Sequence, residues 1–180
     1  MGGFTVIVYA HDYPDEVSGL VLVDIQDLPD SNVATYRPAP KPGETPIPAL
    51  LARIGLVRLL GRPLGSVENL PDGDKQAYTA FAVAPRSVQT FVDELKGMSE
   101  GGAQASAVTS LGSLPIIVLS RGKDQDAKHT AAQTALLQLS TNTQQFFADQ
   151  SGHPIHIEQP QAAIAAIVKV VEMVRQAIQK

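Results

Sequence analysis

The chain has no cysteine, which excludes disulfides, thiolate catalysis and Cys-ligated metal sites. It has no tryptophan, and aromatic residues make up only 5% of it. No apolar run approaches the ~18–20 residues that a membrane-spanning helix needs, so no membrane span is expected. Basic residues do not cluster, and the formal charge is −4. Nucleic acid is therefore not an expected partner, because that binding needs a Lys/Arg surface to displace counterions. There is no P-loop, no GxGxxG and no HExxH, so no cofactor and no metal are expected. No internal repeat, low-complexity segment or signal peptide is recognisable. What remains is ordinary: 44% apolar and 18% charged residues in a chain of 180, enough for one domain with a sizeable core. Composition does not fix the compartment; soluble and cytoplasmic is the default expectation.

The first 24 residues are the most informative stretch. Gly2 and Gly3 lead into an apolar segment over residues 4–10, which reads as a helix apolar on nearly every side and hence buried. After Tyr13-Pro14, a short β-branched run over residues 20–23, closed by Asp24, reads as a buried parallel strand. Residues 25–46 lose all periodicity and are rich in Pro, Asp, Ser and Asn; a loop of that length usually serves as a lid or binding loop. Amphipathic spacing predicts a helix over 47–61, a turn-rich joint over 62–71, a short helix over 72–83 and another from Pro85 that ends before Gly101-Gly102.

Within residues 115–120, PIIVLS, the apolar residues are consecutive and predict a strand buried on both faces. A polar turn, Arg121 to Asp126, follows it. Then come a helix over 127–140, a strand over 144–148, the loop DQSGH at 149–153, and a last helix opened by Gln159-Pro160. In that helix Ile164, Ile167, Val168, Val171 and Val174 form an apolar stripe. Strands alternating with helices imply a parallel sheet of the α/β class.

Ligands of open α/β sheets sit outside the carboxyl ends of the strands. Two polar groups belong there: Asp124 after the strand at Pro115, and His153 after the strand at Phe146. A lone loop histidine is ordinarily a surface residue. At a strand end, after Ser-Gly and six residues before Gln-Pro, it reads instead as a functional imidazole. His156 lies three residues on and reads as a pocket-wall or packing residue, since no acidic companion gives the pair metal-ligand spacing. His11 and His129 receive no role.

These segments together resemble the α/β-hydrolase family, in its serine esterase-like branch. Met1-Gly2-Gly3 looks like the end of the nucleophile elbow G-x-S-x-G with a further glycine. The helix, "YP" and the strand ending in Asp follow as they do in that family. LPIIVLSRGKDQD resembles its acid-bearing turn and DQSGHPIHIEQP its G-H loop. The resemblance runs from Met1 to about Val174 and is weakest over 25–110. It implies the carboxyl-terminal portion of the fold, starting just after the nucleophile: a partial α/β-hydrolase fold, with parallel strands flanked by helices and a helical cap. The hydrolase core would lie in 1–24 and 111–180, and the cap or lid in 25–110.

The resemblance further implies a Ser-His-Asp mechanism on a carboxylic ester or similar small-molecule substrate. His153 would be the base, Gly152 would allow its loop to turn tightly, and the backbone nitrogen of Met1 would stand where the family has an oxyanion-hole donor. Counting from Pro115 selects Asp124 as the acid. Counting from Gly122 favours Gln125 or Asp126, and Asp24 is a third candidate because some hydrolases place the acid after that strand. A methionine between nucleophile and glycine resembles serine members; epoxide hydrolases usually show tryptophan there. The nucleophile would fall before Met1, so the chain as given is expected to be inactive. The alternative is a catalytically inert, truncated hydrolase-like chain that serves as a binding or interaction module. A strand at Leu20 without a neighbour on one side would expose a sheet edge and favour self-association.

Overall fold

Leu20–Val23 forms β1, Ile116–Arg121 β2 and Thr143–Ala148 β3. They make one parallel sheet in the order β1-β2-β3, with Leu20 opposite Ile116 and Ile116 opposite Thr143. The computed structural model describes residues 2–25 and 70–179, together with 50, 51, 53–56 and 59. Met1, the long loop expected over 25–46 beyond its first residue, most of the helix expected over 47–61 and most of the joint over 62–71 lie outside the described residues. The chain divides into two compact units, Met1–Asn32 with Glu100–Lys180, and Val33–Ser99.

The first unit holds the sheet. Because side chains alternate across a strand, the continuous apolar run of β2 serves two cores. Ile116 and Val118 face one side with Leu22, where they meet Phe4 and Ile7 of α1 (Gly2–Asp12) and Leu136 of α4 (Ala127–Leu136). Ile117 and Leu119 face the other side with Ala148, against Ala166, Val170 and Met173 of α6 (Pro160–Ile178). Residues 116–119 are all fully buried. Each such aliphatic side chain contributes about 1.5–3 kcal/mol by leaving water, so β2 is the element on which both layers are built. A short helix, α5 (Ile155–Glu158), joins the loop after β3 to α6.

Two expectations about burial are corrected. In α1 only Phe4, Ile7 and Ala10 are buried, while Val6 and Tyr9 are exposed. The sheet covers one face of the helix, not its whole circumference. In α6 the residues against the sheet are Ala166, Val170 and Met173, whereas Ile164, Ile167, Val168 and Val171 are 41–53% exposed. The helix has two apolar faces, and the one with the small alanine seats on the sheet. Gly19 matters to that seating: a Cβ there would lie 2.9 Å from Val170 Cγ2.

In β1 the amide of Leu20 donates to the Pro115 carbonyl and that of Asp24 to Leu119. In a parallel strand alternate residues point their polar groups to opposite edges, so Val21 and Val23 point theirs away from β2. Among the described residues no strand pairs with that edge.

The second unit contains α2 (Asp72–Ala82) and the start of α3 (Pro85–Ala107). Asp72 and Asp74 occupy the first turn of α2, where carboxylates complement the helix dipole. Val83, Val88, Val92 and Met98 are buried. The sequence predicts that α3 stops before Gly101-Gly102; instead it runs on to Ala107. Two glycines cost about 1 kcal/mol each in a helix interior. Burial of Ala105 in the core of the first unit helps to offset that cost.

Candidate active site

The carboxyl ends of the strands bring together Asp24, Arg121, His129 and His153. Asp24 closes β1 with φ 44°, a left-handed conformation that aspartate tolerates better than most residues. Its side chain is fully buried. Both oxygens are occupied. Oδ1 accepts from the Arg121 backbone N–H at 3.1 Å, and His129 Nε2 lies 3.1 Å from it. Oδ2 lies 2.6 Å from His153 Nδ1 and 3.4 Å from Arg121 Nη1. The His129 contact is at ion-pair distance, but its ring N–H is not aligned as a hydrogen bond.

Burial pushes the Asp24 carboxyl up. The His153 hydrogen bond, the Arg121 N–H and the charges of His129 and Arg121 outweigh it, and the group is held below its ordinary 3.8. Asp24 is thus ionised near neutrality and can only accept. His153 Nδ1 must then carry the proton that joins them. In the neutral ring this leaves Nε2 with its lone pair, and among the described residues Nε2 makes no hydrogen bond. The His153 side chain is 56% exposed. The arrangement is an oriented imidazole on a half-exposed side chain, with a buried carboxylate behind Nδ1 and no hydrogen bond at Nε2 among the described residues.

The histidine loop is held from two sides. Glu158 accepts from the Gly152 N–H at 2.7 Å and lies 3.2 Å from Ser151 Oγ, and Gln159 accepts from the Gln150 N–H at 3.0 Å. From the turn after β2, the N–H groups of Gly122 and Lys123 donate to the Ser151 carbonyl at 3.2 and 3.0 Å. The crowded glycine is Gly122, where a Cβ would lie 2.3 Å from Asp149 Cα. Gly152 is not in the left-handed region, and a Cβ there would meet its nearest neighbours, Asp124 Oδ2 and Glu158 Oε2, at 3.5 and 3.6 Å. The tight turn expected at Gly152 is therefore not what the loop requires.

The other candidates fall elsewhere. Asp126 caps α4, accepting from the His129 N–H at 2.7 Å. Asp124 is exposed at φ 54°, close to Gly152 but not bonded to His153. The carboxylate on His153 is thus Asp24, the third choice from sequence, rather than Asp124 or Asp126. His156 is exposed, and His11 pairs with Asp12 on the surface. Among the described residues no cluster of three metal-ligating side chains occurs, and no helix is long and apolar enough to cross a membrane. Sequence reasoning missed Arg121, His129 and Glu158, whose only signal was proximity to the two loops.

Against known proteins the chain is distant. No family model matches it, and no curated protein does. Among solved structures it resembles a candidate epoxide hydrolase from Pseudomonas aeruginosa, a mutant with MFA bound. That match has a TM-score of 0.64 and 15% identity, and covers 93% of this chain and 62% of the other. The likeness is one of fold. The chain carries a partial α/β-hydrolase-like arrangement and spans less than two thirds of the length of that protein.

Proposed function

We propose that the chain is the His- and acid-bearing part of an α/β hydrolase. Its parent activity would be cleavage of a carboxylic ester or similar small molecule by a Ser-His-Asp mechanism, with His153 as general base and Asp24 as the acid. The observation that carries this reading is the 2.6 Å contact between His153 Nδ1 and the buried Asp24 carboxylate. An imidazole with ordinary pKa near 6.5 both takes a proton from a hydroxyl and returns it to a leaving group. The ionised acid fixes the tautomer and stabilises the imidazolium formed in the transition state. Residues 25–110 would act as a helical cap, and the amide of Met1 as an oxyanion donor once the elbow precedes it.

The serines near the strand ends are committed elsewhere. Ser120 Oγ is buried between Gln133 and Gln145, and Ser151 Oγ between the Gly152 carbonyl and Glu158. The expected result is negligible p-nitrophenyl ester hydrolysis by the chain alone, with His153-dependent turnover once it is extended upstream through a nucleophile elbow. Strong His153-dependent turnover by the short chain would place the nucleophile inside it. No turnover by the extended chain would favour the alternative of an inert binding module. The similar solved structure is named as an epoxide hydrolase, so the same pair of chains should also be offered an epoxide. The absence of tryptophan argues for the ester.

We also propose self-association through β1. Its outer edge is unpaired among the described residues, and an open strand edge invites pairing with a second copy. Sedimentation should be concentration-dependent; a single monomer boundary at high concentration would count against it.

A further inference from the structure

Two side chains one turn apart on α4, His129 and Gln133, close on the end of β1. Residues four apart share a helix face, and both are buried, His129 to 7% and Gln133 to 1% exposure. His129 Nε2 stands 3.1 Å from Asp24 Oδ1. Gln133 Nε2 donates to the Ile25 carbonyl at 2.7 Å, and its Oε1 accepts from Ser120 Oγ at 3.2 Å. Ser120 Oγ in turn accepts from Gln145 at 3.0 Å. A line of side-chain bonds therefore runs from β3 through β2 and α4 to the residue after Asp24. Ile25 also fills the space beside Gly3, where a Cβ would lie 2.4 Å from Ile25 Cδ1.

Buried amides and imidazoles are costly unless they are bonded, and an apolar pair would fill the same space. An imidazole placed against a carboxylate that already faces Arg121 twice and His153 once adds little to satisfying that carboxylate. At 3.1 Å its Nε2 packs against the Oδ1 side of that carboxylate, with its ring N–H not aligned as a hydrogen bond. Asp24 needs such a hold for two reasons: its backbone is left-handed, and among the described residues its strand is paired on one side only.

We propose that His129 and Gln133 are positioning residues, a two-point clamp from α4 that fixes Asp24-Ile25 so that Oδ2 meets His153 Nδ1 and Nε2 is left free. The proposal rests on the reading of His153 as base, but its test needs no turnover. The groups facing Asp24 are Arg121 from β2, His153 from the loop after β3 and His129 from α4.

The experiment is long-range 1H–15N NMR of the histidine rings in the chain near neutral pH. In the wild type, His153 is expected as the Nδ1–H tautomer with a protected proton, and His129 as the Nε2–H tautomer. His129→Phe keeps a ring but removes the N–H. It should shift His153 toward the other tautomer and lose the protected proton. His129→Gln, which returns a donor, should restore both. Gln133→Met should weaken the same signal. An unchanged His153 tautomer in His129→Phe would overturn the clamp. If that variant does not fold, the wild type decides: an unprotonated His129 Nε2 facing the carboxylate overturns it, and a protonated one supports it. A responsive His153 signal in a protein whose extended form hydrolyses nothing would count against the hydrolase reading alone.

Discussion

Asp24→Asn is expected to cost the elbow-extended chain about a thousand- to ten-thousandfold in ester turnover, while Asp124→Asn and Asp126→Asn leave most of it. The reason lies in the donors around the carboxylate. Both oxygens of Asp24 accept from N–H groups, of Arg121 on one side and His153 on the other. An asparagine has one acceptor and one donor. Either its NH2 faces an Arg121 N–H, or it faces His153 Nδ1 and forces that nitrogen to give up its proton. The ring then carries its proton on Nε2, the nitrogen that the proposed mechanism needs as base. Asp124 makes no bond to His153, and Asp126 holds only the start of α4, so losing either charge leaves the tautomer alone. If Asp124→Asn proved the damaging variant, the assignment of the acid would fail.

The same substitution has a signature in the chain by itself. The Asp24 carboxyl is held below its ordinary 3.8 because the His153 bond, Arg121 and His129 outweigh burial. A depressed carboxyl contributes stability that is fully present above the unfolded value of about 3.9 and is lost as pH falls through the folded value. Urea midpoints of the wild type should therefore drop as pH is lowered below about 4. Asp24→Asn should be less stable near neutrality and should lack this part of the slope.

The second large effect is expected at Gly122. A Cβ there would lie 2.3 Å from Asp149 Cα and 2.7 Å from its carbonyl carbon and oxygen. The obstacle is backbone, which cannot swing aside as a long side chain can. Gly122→Val should destabilise by about 3 kcal/mol or more, lowering Tm by roughly 10 °C. It should also displace the histidine loop, since Gly122 and Lys123 hold the Ser151 carbonyl. Gly152→Ala is the control: its Cβ makes only ordinary contacts, and its effect should stay under about 1 kcal/mol. Equal losses from the two substitutions would show that the loops separate freely.

The parallel sheet and its flanking helices were readable because burial on both faces leaves a continuous apolar run, as at 116–119. Such a run needs no partner to be recognised. Which face of a helix is covered does need one. Ala166, Val170 and Met173 repeat at the same helical spacing as the exposed stripe of α6, so spacing alone does not tell which face packs on the sheet. The histidine was marked by its loop. The carboxylate that meets it was not, because counting along one loop favours Asp124, whereas contact is decided by register between strands far apart in sequence. Val23 lies beside Leu119, which brings Asp24 to the amide of Arg121 and to the mouth of the histidine loop.

The left-handed turns at Asp24 and Asp124 give these two positions different freedom to vary. Backbone of that kind admits chiefly glycine, asparagine and aspartate, and this first filter applies at both, with φ 44° and 54°. At Asp124, exposed and unbonded to His153, it is the main filter, and drift among the three residues should be nearly silent. At Asp24 a second filter acts on the side chain: the neighbours are N–H donors and cations, which glycine cannot answer and asparagine answers on one side only. Two independent restrictions meet there and leave a single residue, so a lineage that kept the proposed chemistry would have almost no neutral path through position 24.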